Sequence, residues 1–331
     1  MSILPHLSNA VRAVDETIAA ACLAVKREES ALLSFVFHGL FCDEGEIHRG
    51  AADPQQGITL AMFRAFISHF RGQGYKFISP PDLLQALPAG GRYLLLTFDD
   101  GYYNHQRALP VLEEFGVPAV FFISSGHVRR GRAFWWDVAF RELAQRGENQ
   151  LQIRREVGRC KRLKTAEVEA RFAARFGEPS LRPVGDLDRP FDPAELHQFA
   201  RHPLVFLGNH TRDHAILTNY SRAEAMAQIQ GGQEDIREMT GQTPLIISYP
   251  NGACSWEVIE LARRAGLKLG MGAAPGRNRL PLQANSAMEM RRFMIWGNRE
   301  IEPQCKASRA AVSIQRTLLG IRRKAQRGLS Y

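Results

Sequence analysis

The sequence predicts an α/β fold, a barrel or near-barrel of about seven parallel strands, and three observations carry that prediction. Short apolar runs alternate with longer helix-like stretches from Leu32 onward, the rhythm of a parallel sheet crossed over by helices. About seven such units occur, enough for a sheet to curl towards closure. Nearly every unusual polar group follows its apolar run: His38, Asp99 and Asp100, Asn209 and His210, and Asn251. In a barrel the carboxyl ends of the strands converge on one rim, so this placement predicts one shared site. A length of 331 residues leaves one or two domains open, and 45% hydrophobic content is ample for a large core.

In chain order, residues 1–30 read as an N-terminal helix, with Val11, Val14, Ile18, Cys22 and Val25 at helical spacing. The expected strands are "ALLSFVFHG", "RYLLLTFDDG", "PAVFFISSG", "PLVFLGNHT", "PLIISYPNG", "LKLGMGAA" and "MRRFMIWGN". Helical stretches such as "LAMFRAFISHFRGQG", "NHQRALPVLEEFG", "SRAEAMAQIQGGQEDIREMTG" and "SWEVIELARRAG" lie between them, each ending near a glycine suited to a helix C-cap. Residues 129–200, with "FWWD" and a charged helical stretch, break the rhythm and read as a helical insertion. The expected organisation is therefore an N-terminal helix (1–30), a catalytic domain (31–300) and a basic amphipathic C-terminal helix (301–331).

The net charge of +9 is local. Residues 303–331 hold seven basic and no acidic residues, and residues 152–164, "QIRREVGRCKRLK", hold six basic residues and Glu156. The remainder is slightly acidic, which argues against a general nucleic-acid groove; no nucleic-acid partner is expected. Such segments are either solvated faces or contacts to an anionic membrane or polyanion. In the tail, Ala311, Ile314, Leu318 and Ile321 form an apolar stripe flanked by Arg and Lys, the pattern of an interfacial helix and equally of one packed on a barrel. The N-terminal stretch carries Arg12, Asp15 and Glu16 where a signal peptide needs apolar residues, so a cytoplasmic location is expected, with peripheral contact at the inner membrane face as an option. Five scattered cysteines with no C-x-x-C pair fit a reducing compartment and argue against a thiolate metal site.

Two stretches carry chemistry. "LLLTFDDGYYN" sets adjacent carboxylates, Asp99 and Asp100, at a strand end; neighbours on a strand face opposite ways, so both can serve one site only where Gly101 lets the chain turn. "GNHTRDH" places His210 and His214 four residues apart, which on a helix would put both imidazoles on one face, within reach of a metal at ~2.0–2.1 Å. Two histidines, one carboxylate and an open position make the usual catalytic zinc arrangement; Asp100 can supply the carboxylate and leave Asp99 as a base. The alternative is an ordinary histidine pair on a surface helix.

These two stretches, followed by "ISYPNG", resemble in order and spacing the first three motifs of the polysaccharide deacetylases, carbohydrate esterase family four, also called the NodB homology domain. The resemblance runs from about Leu32 to Asn298, and "FVFHG" at Phe35–Gly39 is similar to the opening strand of exopolysaccharide-type members. It implies a distorted (β/α) barrel and a metal-dependent hydrolase that removes an N-acetyl group from an acetamido sugar. The sugar would belong to a poly- or oligosaccharide or a lipid-linked precursor. It further implies Asp99 as general base, and Asp100, His210 and His214 on a divalent metal, Zn²⁺ first, with Co²⁺, Ni²⁺ or Fe²⁺ as alternatives. The oxyanion donor would be the backbone N–H of Asn251, in Tyr249-Pro250-Asn251-Gly252, where the family usually has tyrosine. The last strand lacks the family's L-x-H histidine; in exopolysaccharide-type members a histidine on the opening strand can occupy the corresponding place, and the resemblance implies His38 as the candidate general acid. The third motif also lacks its arginine, since Ser248 stands two residues before Pro250; Arg291 or Arg292 can orient Asp99 instead, or lie on the surface. Tyr249, Pro250, Arg292 and Trp136 complete the candidate oxyanion and substrate-binding set, Trp136 as a sugar-stacking ring or a core residue. His69, His127, His197 and His202 read as surface residues. Two other functions keep the same residues: an amidase of a non-sugar amide, and a glycan-binding relic without turnover.

Overall fold

The computed structural model describes residues 30–310, apart from 86 and 89, and before them only 14, 17–19 and 21–23. Most of the expected N-terminal helix, and the tail stripe Ala311, Ile314, Leu318 and Ile321, lie outside the described residues.

All seven apolar runs form strands, each shorter than its run. They are β1 (Ala31–Phe37), β2 (Arg92–Phe98), β3 (Ala119–Ile123), β4 (Val205–Asn209), β5 (Ile246–Ser248), β6 (Leu269–Met271) and β7 (Phe293–Met294). Neighbours β1 to β6 pair in parallel in chain order. The last segment then joins both edges: Phe35 and Val36 of β1 pair with Phe293 and Met294, while Met290 forms a parallel bridge to Met271 of β6. The result is the distorted (β/α) barrel expected. Four short strands were not foreseen: Lys76–Phe77 beside β2, Asn278–Arg279 antiparallel to the start of β1, and Leu40–Phe41 with Ile58–Thr59, which pair in a separate two-stranded sheet.

Helices form where sequence chemistry starts and stops them. Helix α1 (Leu60–Gly72) begins at Thr59, whose side chain accepts from Met62 N–H. Helix α2 (Leu109–Phe115) ends at Gly116 in the left-handed conformation. The insertion supplies α3 (Trp135–Gln145), α4 (Gln150–Cys160) and α5 (Thr165–Phe176), and α6 (Pro193–Ala200) leads into β4. Helix α7 (Arg222–Thr240) carries a capping box, Ser221 with Glu224, and stops at left-handed Gly241; α8 (Trp256–Arg264) starts at Ser255. Helix α9 (Ile301–Arg309) places buried Cys305 in the same core as α1, so the described part of the basic tail is a helix packed on the barrel.

The main core is aromatic. Phe35, Phe37, Phe63, Phe66, Phe98 and Phe121 are fully buried between β1, β2, β3 and α1, with Phe98 stacked on Phe121 at 4.8 Å. The insertion has its own cluster, Phe134, Trp135, Phe140 and Phe172, which Tyr102 joins from the loop after β2. His127 belongs against this cluster, buried and stacked on Phe134 at 4.5 Å, so its expected surface position is corrected: the chain folds back where "FWWD" supplies an apolar wall. No described helix is long and apolar enough to cross a membrane.

Phe37 lies 5.2 Å from Phe63 and from Phe66 and precedes the candidate residue His38. Phe37→Ala is expected to lower stability by about 3–5 kcal/mol, because the rigid β1–α1 contact cannot collapse into the space. Urea unfolding at neutral pH measures it; a loss below about 1 kcal/mol would contradict this core assignment.

Candidate metal centre and active site

The site forms where β1, β2, β4 and β5 end. Asp99 N–H donates to Phe37 C=O (2.9 Å), and His210 N–H to Ile123 C=O (3.1 Å), so the ladders run to the last residue before each functional side chain. Beyond them Asp100 and Gly101 both adopt left-handed backbone, φ 82° and 90°. Glycine tolerates this freely, whereas for Asp100 it is a conformation costing about 1 kcal/mol or more that the surroundings must enforce. The double turn brings both carboxylates to one side.

The two histidines converge by a different route from the one expected. Residues 210–214 form a loop, not a helix; Thr211 (φ 62°) and His214 (φ 50°) are both left-handed. Side chains pin the loop: Asn209 Oδ1 accepts Thr211 N–H, and Thr211 Oγ1 accepts Ala215 N–H, each at 2.7 Å. The imidazole rings end 4.8 Å apart. His210 Nδ1 donates to Ser248 C=O (2.7 Å), which fixes its tautomer and turns Nε2 towards the site. Both Nε2 atoms point at Asp100 Oδ1, from His210 at 3.3 Å and from His214 at 3.4 Å. Ligand atoms around a tetrahedral ion at ~2.0–2.1 Å lie about 3.3–3.4 Å apart, so these two spacings suit a small divalent cation. Asp100, His210 and His214 are the one group of three such ligands found among the described residues.

Asp99 is held by an arginine. All five guanidinium N–H donors of buried Arg292 are used: on Asp99 Oδ1 (2.7 Å) and Oδ2 (2.8 Å), Thr97 Oγ1, Ser248 Oγ and Gly272 C=O. Ser248 also donates to Asp99 Oδ2 at 3.0 Å, so the serine in the motif arginine's place joins the same clamp. Burial would raise Asp99's pKa, but Arg292 and then His210 outweigh it and bring it down to about 2. Asp100 is likewise pushed up by burial and pulled well below the carboxylate range by His210 and His214.

His38 lies half-buried at the end of β1, and its Nδ1 is 2.9 Å from Gln56 Oε1. Gln56 donates its amide hydrogens to Val36 C=O and Ile295 C=O, so its oxygen can only accept, which makes His38 Nδ1 the protonated nitrogen. Gln56 thereby leaves Nε2 as the free nitrogen of His38. Nothing in "DPQQGIT" signals this, because one carbonyl comes from β1 and the other from the chain just after β7.

Trp136 sits against His214, ring centroids 4.4 Å apart, and its indole N–H donates to Tyr102 Oη (2.7 Å). Tyr102 in turn donates to Asp137 Oδ2 (2.7 Å). The ring is thus fixed as a wall beside a candidate ligand. His105, 0% exposed between Phe98 and Phe121, has its pKa lowered by burial to about 3 and is neutral at any working pH.

These groups line one cleft of about 440 Å³, within the range of small-molecule sites. His38, Asp99, Asp100, Trp136, His210, His214, Asn251 and Arg292 all reach it. Asn251 is left-handed (φ 58°), and its N–H is not used by the turn, whose bonds run from Gly252 N–H to Tyr249 C=O and from Ala253 N–H to Pro250 C=O. Three expectations are corrected. Tyr249 is fully buried in an apolar cluster with Ile247 and Leu261 and does not reach the cleft. Pro250 is buried behind Asn251 and shapes the turn only. Arg292 lines the cleft but has no donor left for a substrate, and the exposed Arg291 takes no part in the clamp.

A family model described as polysaccharide deacetylase matches residues 86–270. Among solved structures, a polysaccharide deacetylase from Bacillus cereus aligns with a TM-score of 0.57 at 15% identity, over 85% of this chain and 69% of that one. The Streptococcus pyogenes deacetylase PplD, solved in complex with acetate, gives 0.56 at 15% identity over 85% and 99%. IcaB from Ammonifex degensii gives 0.55 at 16% identity over 85% and 98%. No curated protein matches by sequence. At such identities the structures establish the fold alone, and the family model, spanning more than half of the 331 residues, establishes that the chain belongs to the polysaccharide deacetylase family.

Proposed function

We propose that the cleft holds a divalent cation, zinc first, on Asp100, His210 and His214, and that the chain removes the N-acetyl group of an acetamido sugar in a saccharide. The observation carrying this reading is the approach of two imidazole nitrogens to one carboxylate oxygen at 3.3 and 3.4 Å, with a separately clamped carboxylate beside them. When bound, the cation would lower the pKa of a water towards about 7 and polarise the acetamide carbonyl.

The chain's own groups divide the remaining work. Asp99, ionised at any working pH, accepts the proton of the attacking water; its two oxygens are oriented by Arg292 and Ser248. Asn251 N–H, left over by its turn, donates to the oxygen that becomes anionic in the tetrahedral state. His38, whose Nδ1–H is bound to Gln56, presents Nε2 to the cleft; Nε2 first takes up the proton that Asp99 has accepted from the water, and the resulting imidazolium then gives it to the leaving amine. The wall made by Trp136 excludes water beside His214.

Chelator treatment is expected to abolish acetate release from N-acetylglucosamine oligomers, and Zn²⁺ or Co²⁺ to restore it. Asp100→Ala should lose bound metal by elemental analysis together with activity; retained turnover in that variant would sink the assignment. Asp99→Asn and His38→Ala should each lower kcat by about 10²–10⁴-fold without losing metal, the range expected for proton-transfer groups. Glycan binding with no acetate release, metal present, would favour the relic, and turnover of non-sugar amides alone the amidase.

Arg292→Gln leaves Asp99 buried without its counter-charge and is expected to cost about 3–5 kcal/mol at pH 7 by chemical denaturation. The sign of the pH dependence follows from Asp99's depressed pKa. The native protein keeps this contribution above the ordinary carboxylate pKa of about 3.9 and loses it as pH falls through about 2, so the gap between wild type and variant should close on acidification. A gap constant from pH 7 to pH 2 would refute the ion pair's role.

A further inference from the structure

The basic segment 152–164 is not simply a solvated face. Helix α4 sets Arg154, Val157 and Lys161 at i, i+3 and i+7, one stripe of its surface, and all three line the cleft that holds Asp99, Asp100 and the two histidines. The other side of α4 is accounted for within the insertion. Ile153 and Cys160 are buried in its core, and Glu156 takes Arg159 (3.1 Å) and Arg171 (2.7 Å). Among the described residues Arg154 has no hydrogen-bond or ion-pair partner. Lys161 gives one N–H to Asn251 Oδ1 (2.9 Å) and has donors to spare. Asp53, the acid left at the rim, accepts its own turn's Gln55 N–H (3.0 Å); the charges of Arg154 and Lys161 act on it, but neither forms a hydrogen bond or ion pair with it. Asp99 is neutralised in place by Arg292, so the mouth of the cleft carries two cations against Asp53 alone.

We propose that the substrate is an anionic acetamido sugar, whose phosphate or carboxylate, on the reacting residue or next to it, is taken by Arg154 and Lys161. This rests on the deacetylase reading of the same cleft. The cations face the reacting groups and not away from the barrel, so the anion they fit belongs to the substrate, not to a surface on which the protein docks. Arg154 and Lys161 are exposed at the rim, and a wholly neutral polymer would leave the Arg154 guanidinium to water and to the charge of Asp53 alone. The half-exposed Trp296 on the rim offers an apolar face for a sugar ring beside the anion.

The test compares acetate release by the zinc-loaded full chain on three probes. They are N-acetylglucosamine 1-phosphate, an oligosaccharide alternating N-acetylglucosamine with glucuronate, and neutral di-N-acetylchitobiose. At least one anionic probe should exceed the neutral one in kcat/KM by about tenfold, the worth of a charge-assisted contact, and the advantage should shrink with salt. Which anionic probe leads identifies the group as phosphate or carboxylate. Arg154→Ala combined with Lys161→Gln, which keeps a donor for Asn251, should bring the anionic-to-neutral ratio towards one. A neutral probe as good as both anionic ones, or a ratio the double variant does not move, overturns the proposal. If no probe is deacetylated, the deacetylase reading fails by itself. Calorimetric binding of glucosamine 1-phosphate against glucosamine then decides this one: a preference lost in Arg154→Ala upholds it, and no preference overturns it.

Discussion

Two adjacent carboxylates, Asp99 at 5% exposure and Asp100 at 2%, are buried at the mouth of the barrel, and the site is arranged around making that tolerable. Neighbouring anions in a poorly solvated place normally resolve their repulsion by sharing a proton. Here each meets a different counter-charge. Arg292 and Ser248 close on Asp99 from the segment just before β7 and from β5, while His210 and His214 close on Asp100 from the loop after β4. The left-handed turn at Asp100 and Gly101 makes the separation possible, because it aims the two side chains at different partners within one cleft.

The barrel's closure and its chemistry are therefore linked. Arg292 lies between Met290, which bridges to β6, and Phe293, which pairs with β1, so the residue that neutralises Asp99 is carried by the segment joining the two sheet edges. Gln56 acts similarly on a smaller scale: one amide holds carbonyls of β1 and of the chain after β7 and fixes the tautomer of His38. Positioning of the candidate base and of the candidate acid thus comes from the same contacts that hold the last strand against the first.

This linkage explains what the sequence could reveal. The seven apolar runs and the glycine stops of the helical stretches, such as Gly241, are local signals, and the runs became strands and the stretch before Gly241 a helix. The convergence of Asp100, His210 and His214 into a candidate ligand set was legible from their short motifs, although the helix expected for the histidines is a pinned loop. Arg292 was one of two candidates, since a neighbour at sequence separation 193 leaves no periodic trace; Gln56 left none. Tyr249 misled because motif membership says nothing about which side of a strand end a ring faces, and burial placed it in the core. The basic run 152–164 showed its charge but not its direction. Only the packing of Ile153 and Cys160 turns Arg154 and Lys161 towards the cleft.

The clamp on Asp99 has a chemical consequence that runs against simple expectation. A general base works best with a pKa near the working pH, and a carboxylate held at about 2 is a weak one. Without Arg292, however, Asp99 would lie beside Asp100 in the same buried place. One of the two would then keep a proton over part of the working range and be blocked as an acceptor. The arginine exchanges basicity for certain ionisation and fixed direction. That exchange suits a site in which a cation on Asp100, His210 and His214 would make the water acidic, because the proton then needs a nearby, always vacant oxygen more than a strong base. As the proposed base, a weakly basic Asp99 would also release the proton easily, so that it could be passed on towards the departing amine instead of being retained after each turnover.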